Sequence, residues 1–333
     1  FIVTWASKDQ DGSNWGVYAQ RYDRYGNAVG NEFRVNTYTT DEQRYSAVAM
    51  DHSGNFVITW SSRNQDGSGW GIYAQRYNAS GIAQGAEFRV NTTTAGDQHV
   101  PSIGIDHGGS FVITWSSNGQ DGSGYGVYAQ RYSAAGVAQG GEFLVNTYTT
   151  NDQRYSAVAM NADGDFVITW SSNGQDGSNW GVYAQRYNSA GVAQGSEFRV
   201  NTSTTDEQRQ PAIAMDDAGN FIIVWASKHP HDNDDGWGIF GQRFAADGTP
   251  VGGEFHPNTT TKKNQQYPTV AMDADGDFVV TWSSDLGDGN KYGVYAREFD
   301  ATGTARGGEF LVNTTKANDQ LNSSVAMDAN GDY

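Results

Sequence analysis

Five times along the chain a carboxylate stands four residues ahead of an aromatic ring: Asp11/Trp15, Asp66/Trp70, Asp121/Tyr125, Asp176/Trp180 and Asp288/Tyr292. A sixth copy is altered, and there Asp235/Trp237 is the nearest match. Each pair closes a polar loop of the form Q-D-G-S-x-aromatic-G or a variant of it, and a glutamine recurs further on, at Gln43, Gln98, Gln153, Gln208, Gln265 and Gln320. A ring beside a carboxylate and an amide could bind a sugar, the ring stacking on its apolar face while Asp and Gln hold its hydroxyls. The same residues also suit a purely structural loop. Asp would then accept hydrogen bonds from loop amides, Gly would take positive φ, and the ring would wedge between neighbouring elements.

Other oxygen-rich and basic stretches offer different chemistry. "DADGD" places Asp273, Asp275 and Asp277 at alternate positions, an oxygen density that suits calcium. It lacks the twelve-residue frame and distal glutamate of an EF-hand, and a tight hairpin capped by Asp explains it too. "HPHD" at 229–232 could gather a cation but supplies too few ligands to name a metal. The Arg of "QRY" and the Glu of "EF" recur on consecutive segments, where an electrostatic clasp or a hydrogen bond to a neighbouring repeat would account for them. Nothing resembles a Ser–His–Asp set or paired catalytic carboxylates. An active site needs one particular acid, base or nucleophile, whereas these units are close copies. The fifth copy's longer "KHPHDNDDGWG" (228–238) is the place where a hydrolase site, on Asp232, Asp234 or Asp235, would sit.

The elements that carry these loops are set by a period. "FIVTW" begins at 1, "FVITW" at 56, 111 and 166, "FIIVW" at 221 and "FVVTW" at 278, giving steps of 55, 55, 55, 55 and 57 residues. Each unit holds short runs rich in Val, Ile, Tyr, Phe, Trp and Thr, bounded by Gly, Asn and Asp turns, which read as strands. No window sustains a helical period. Four antiparallel strands repeated six times predict an all-β, six-bladed β-propeller, a single domain over 1–333, with the pentapeptide Trp packed between blades. Solenoid coils are usually much shorter, and separate sandwiches need about 100 residues each. A first-strand segment, 324–328, ends the sequence and a second-strand segment, 1–5, opens it, so their pairing is expected to close the ring. Tyr333 has the phase of Phe1, which suggests a fragment of a longer protein. In an up-and-down blade the Q-D-G-S loop and the glutamine-bearing connection fall on one face.

Composition narrows the function classes. The net charge is −17, which disfavours nucleic acid, whose binding depends on Lys and Arg. There is no cysteine, hence no disulfide, thiolate ligand or thiol nucleophile. No apolar run approaches the ~18 residues of a membrane helix.

The units "FVITWSSNGQDGSGYGVYAQRY" and "GGEFLVNTYTTNDQRYSAVAM" resemble repeats of large exported, adhesin-like bacterial proteins that often carry hemolysin-type calcium-binding modules. The resemblance implies an extracellular or cell-surface location and an adhesive role. The expectation is a non-enzymatic adhesion or scaffold module that needs no cofactor, with calcium as a candidate ion and weak multivalent glycan binding on the loop-rich face. Glycans, extracellular proteins or further copies of the chain are its expected partners. A purely structural subunit of an extracellular assembly is the alternative.

Overall fold

The computed structural model describes residues 1–228, 236–260, 263–285 and 291–333. The fold is all-β, a six-bladed propeller of antiparallel strands, with no helix among the described residues. Two compact units divide the chain, Phe1–Val158 and Ala159–Tyr333. The first unit opens on β1 (Ile2–Lys8), β2 (Trp15–Tyr22) and β3 (Ala28–Arg34). Next come β4 (Gln43–Met50), β5 (Phe56–Arg63), β6 (Trp70–Tyr77) and β7 (Phe88–Arg89), which form the sheet β4-β5-β6-β7. The third blade repeats this with β8 (Gln98–Ile105), β9 (Phe111–Asn118), β10 (Tyr125–Tyr132) and β11 (Phe143–Leu144). β12 (Gln153–Met160) begins the fourth blade, and the second unit continues the same grammar to residue 311.

The second strand of a blade is the core. β5 and β9 are buried at seven consecutive positions, because neighbouring blades cover both faces of the sheet. That is why "FVITW" is apolar without alternation. Trp60, Trp115 and Trp170 are 0 % exposed, and Trp225 and Trp282 are 1 % exposed, as the pentapeptide predicts, whereas Trp5 is half-buried. Across the sheet Phe56 stacks on Tyr77, and Phe111 on Tyr132, each with centroids 4.9 Å apart.

Side chains tie successive blades within a unit. Arg76 donates to the carbonyls of Ala135 and Ala134 at 2.6 and 2.7 Å, in the next blade's outer turn. Glu142 reaches the other way, accepting from the Thr92 amide at 2.6 Å. The recurring Arg and Glu therefore serve separate links to neighbouring blades rather than one ion pair.

The first sheet is one strand short of the others. The first sheet has three strands, in the order β1-β2-β3, and residues 320–327 lie outside any strand. The terminal segment instead packs Val325 and Met327 against Ala271, Val279 and Ala296 of its own unit. Ser323 lies 2.8 Å from the Thr281 hydroxyl. It has the place of a first strand laid on the preceding blade without a second strand to pair with.

Candidate functional site

The antiparallel meander brings the two conspicuous polar elements together. The Ser13 hydroxyl donates to the Asp41 carbonyl at 3.4 Å, and the Asn151 amide donates to Ser123 at 3.1 Å, so these two loops touch the connection that follows their blade. Asp11, Asp66, Asp121 and Asp176 are half-buried and hold their own turns, accepting from the amides of Ser13, Ser68, Ser123 and Ser178 at 3.0–3.2 Å. Their second oxygens lie over a glycine that opens the next strand. A Cβ at Gly126 or Gly181 would stand 2.7 Å from the oxygen of Asp121 or Asp176, so a larger residue there would have to push the carboxylate aside.

Glutamine lies deeper. Gln43, Gln98, Gln153, Gln208 and Gln265 are 0 % exposed. Gln98 donates to the Ala95 carbonyl at 2.9 Å and accepts from Asn91 at 3.1 Å. Gln320 is half-buried and makes the same bond with Asn313 at 3.3 Å. The centre of this polar knot is an asparagine at the end of "EFRVN". Asn91 is 1 % exposed, accepts from the Ile72 amide at 2.7 Å, and donates to the Thr93 carbonyl at 2.8 Å and toward Asp66 at 3.4 Å. Buried polar groups need such partners, and Asn with its two donors and an acceptor can serve a strand, a loop and a side chain at once.

Strand alternation turns the neighbours of each buried glutamine outward. In four copies those neighbours are an acid before it and a basic residue after it: Glu42/Arg44, Asp97/His99, Asp152/Arg154 and Glu207/Arg209. Arg44 pairs with Glu42 at 3.0 Å and lies 4.4 Å above the Trp15 ring. Arg154 pairs with Asp152 at 2.9 Å and lies 3.8 Å above Tyr125. In the second unit Arg209 pairs with Glu207, 5.4 Å from the Trp180 centroid and 5.8 Å from Trp237. Trp15, Tyr125, Trp180 and Trp237 are thus half-buried partners in cation–π stacks.

Blade three breaks this pattern. His99 replaces the arginine, and Tyr125 stands where Trp15 and Trp70 stand in the blades before it. The His99 Nε2 is 3.2 Å from the Tyr125 hydroxyl, with the rings edge to face at 5.4 Å. Asp97 accepts from the Trp70 amide at 3.1 Å and Asp152 from the Tyr125 amide at 3.0 Å, which sets a carboxylate on either side of the pair. Burial pushes the His99 imidazole below its usual range, with Asp97 opposing. Burial and then Asp97 push the Tyr125 phenol up, with Arg154 opposing. A neutral imidazole bonded to a protonated phenol, between two carboxylates and under a guanidinium, is an acid–base couple that no other copy has among the described residues. Its signal was present in the sequence: "DQHV" stands where "EQRY" and "NDQRY" stand elsewhere.

The remaining candidates are placed as follows. Asp273 is buried and caps its turn, accepting from the Asp275 and Asp277 amides at 3.0 and 2.9 Å. Asp275 is exposed, and Asp277 accepts from the Ala301 amide at 2.8 Å and pairs with Arg306. Among the described residues no three His, Asp or Glu side chains are grouped to hold a metal. Trp237 and Tyr292 are half-buried, while Asp235, Asp288 and the 229–235 stretch lie outside the described residues.

No family model matches the chain, and no curated protein matches it, so the adhesin-like and calcium-binding resemblance has no family behind it. Solved structures do resemble it. The α-L-arabinanase of Penicillium chrysogenum complexed with arabinobiose has a TM-score of 0.58 at 12 % identity, over 84 % of this chain and 83 % of that one. A protein of unknown function from Dyadobacter fermentans gives 0.57 at 10 % identity, covering 82 % and 83 %. A Hadza microbial sialidase gives 0.50 at 9 % identity, covering 90 % and 65 %. At these identities the likeness is one of fold. It nonetheless overturns the expectation of a non-enzymatic adhesion module or structural subunit, because the fold shared over most of the chain is one that a glycan hydrolase uses. No helix among the described residues is long and apolar enough to cross a membrane.

Proposed function

We propose that this chain is a glycan-directed hydrolase whose site is built around His99 and Tyr125. The observation that carries the reading is the hydrogen-bonded His99–Tyr125 couple, in a propeller whose fold resembles that of an arabinanase. An imidazole that stays neutral takes the phenolic proton, and a phenol with its own base can act as a nucleophile. Toward a glycoside the phenolate oxygen bonds to the anomeric carbon as the glycosidic C–O bond breaks, the imidazolium formed at His99 returns its proton to the departing oxygen, and water then hydrolyses the tyrosyl intermediate. The neighbouring Tyr45 and Trp70 rings, with centroids 6.1 Å apart, supply the apolar surface a sugar face needs. An extracellular or cell-surface location goes with this reading, since polymeric glycans are met outside the cell.

The test is turnover of arabinan, α-L-arabinofuranosides and sialosides by the whole chain, followed by the Tyr125→Phe variant. Hydrolysis of one of these that falls at least a hundredfold in the variant supports the assignment. Equal turnover by the variant, or none by the parent chain on any of the three, sinks it.

A further inference from the structure

We infer that Tyr45 and Tyr155 are sugar-stacking platforms on either side of the His99–Tyr125 couple, an inference that rests on the glycan reading above. The first strand of each blade carries an irregularity at one position. Pairing slips between Arg44 and Ala47 in β4 and between His99 and Ser102 in β8, and the same slip recurs between Arg209 and Ala212 and between Gln266 and Thr269. At that bulge the backbone turns left-handed: φ is 56° at Tyr45, 57° at Val100, 57° at Tyr155, 57° at Gln210, 56° at Tyr267 and 58° at Asn322.

The bulge itself is structural. It turns the backbone amide toward the preceding blade, where Val100 donates to Ser61 at 3.1 Å, Gln210 to Ser171 at 3.2 Å and Asn322 to Ser283 at 3.3 Å. That bond needs no particular side chain, as Val, Gln and Asn show by making it. A bulky aromatic residue is therefore not what the fold asks for at this position. It is also sterically disfavoured there, since left-handed backbone suits Gly and Asn.

Three tyrosines occupy the position all the same: Tyr267 of the second unit is half-buried, whereas Tyr45 and Tyr155 are exposed, by 50 % and 39 %. These last two sit on the blades flanking blade three, whose own bulge carries the smaller Val100. Tyr45 lies 6.4 Å from the His99 ring, and Tyr155 is close enough to Tyr125 that its charge would raise that phenol's pKa. Strained, exposed aromatic groups bracketing a symmetry-breaking acid–base couple have the character of a binding cleft. The chemistry they recognise is the apolar face of a pyranose or furanose ring, and two platforms fit an oligosaccharide better than a single sugar.

Asn322 supplies the control, because the chain itself accommodates Asn at this bulge with φ near that of Tyr45. Tyr45→Asn and Tyr155→Asn remove the rings and keep a residue suited to the backbone. Binding of a linear arabino-oligosaccharide and of a sialylated oligosaccharide is measured by calorimetry, on the parent chain and on Tyr125→Phe to exclude turnover. At least tenfold weaker binding in both Asn variants, with melting temperature held, is the expected result. Binding within twofold of the parent, or no binding by the parent of either oligosaccharide, overturns the inference. Loss of turnover in Tyr125→Phe with unaltered binding in the Asn variants would leave the hydrolase reading standing and remove this one. Weakened binding in the Asn variants, with no hydrolysis by the parent, would do the reverse.

Discussion

The sharpest separation of fold from chemistry comes from restoring the repeat. His99→Arg gives blade three the residue that Arg44 and Arg154 provide at the same place. The substitution removes the 3.2 Å bond to Tyr125, a loss of about 1 kcal/mol. It gains a guanidinium between two aromatic rings, worth about 0.5–1 kcal/mol, and an ion pair with Asp97 of about 0–1 kcal/mol. These changes nearly cancel, so stability should move by no more than about 1 kcal/mol, or a melting shift within about 4 °C for a unit of this size. Turnover should behave otherwise. An arginine stays protonated and cannot accept the Tyr125 proton, so kcat/KM should fall by about 10²–10⁴-fold. Differential scanning calorimetry and steady-state kinetics on one preparation make the comparison. If turnover stays within tenfold while the fold holds, the couple is not the catalytic base pair and the argument from broken symmetry fails.

Two further outcomes follow from the same geometry. Asn91→Ala leaves the Ile72 amide, the Thr93 carbonyl and the Gln98 amide oxygen without their partner, at about 1–3 kcal/mol for each buried group left unpaired. A melting point lowered by at least about 6 °C in a thermal scan is expected, and an unchanged one would remove Asn91 from the centre of the knot. Because burial lowers the His99 pKa in the folded state, its neutral form persists below the ordinary imidazole value of 6.5. The associated stability is present above that value and is lost as pH falls through the folded pKa. The acid limb of kcat/KM should accordingly fall below pH 6.5, and a limb above that value would contradict the assignment.

Much of the architecture was legible because burial writes a simple record. A strand covered on both faces must be apolar at every position, so "FVITW" marked the core strand and its period marked the blades. Gathering of the Q-D-G-S loops and the connections on one face followed from antiparallel order alone. The site was harder to see. Gln43 and its copies look like exposed polar ligands in a Thr-rich segment, yet alternation buries them and turns the flanking acid and cation outward. Asn91 reads as an ordinary residue at a strand end, and only the three-dimensional meeting of strand, loop and glutamine reveals its task. Blade five stands out by its length, whereas blade three departs by one residue, His99, that keeps the repeat's length unchanged.

The links between blades have a mechanical meaning. Arg76 grips forward and Glu142 grips back, and both hold a neighbour's main chain, Glu142 adding a bond from the Thr93 hydroxyl. Main-chain carbonyls and amides survive any substitution except proline at the amide, so a duplicated or deleted unit would still meet a neighbour able to grip it. Under tension from its ends, such a chain would lengthen in near-equal increments of one 55-residue unit, each about 190 Å of extended polypeptide. The clasps thus make the blade both the unit of rupture and the unit by which the gene could grow.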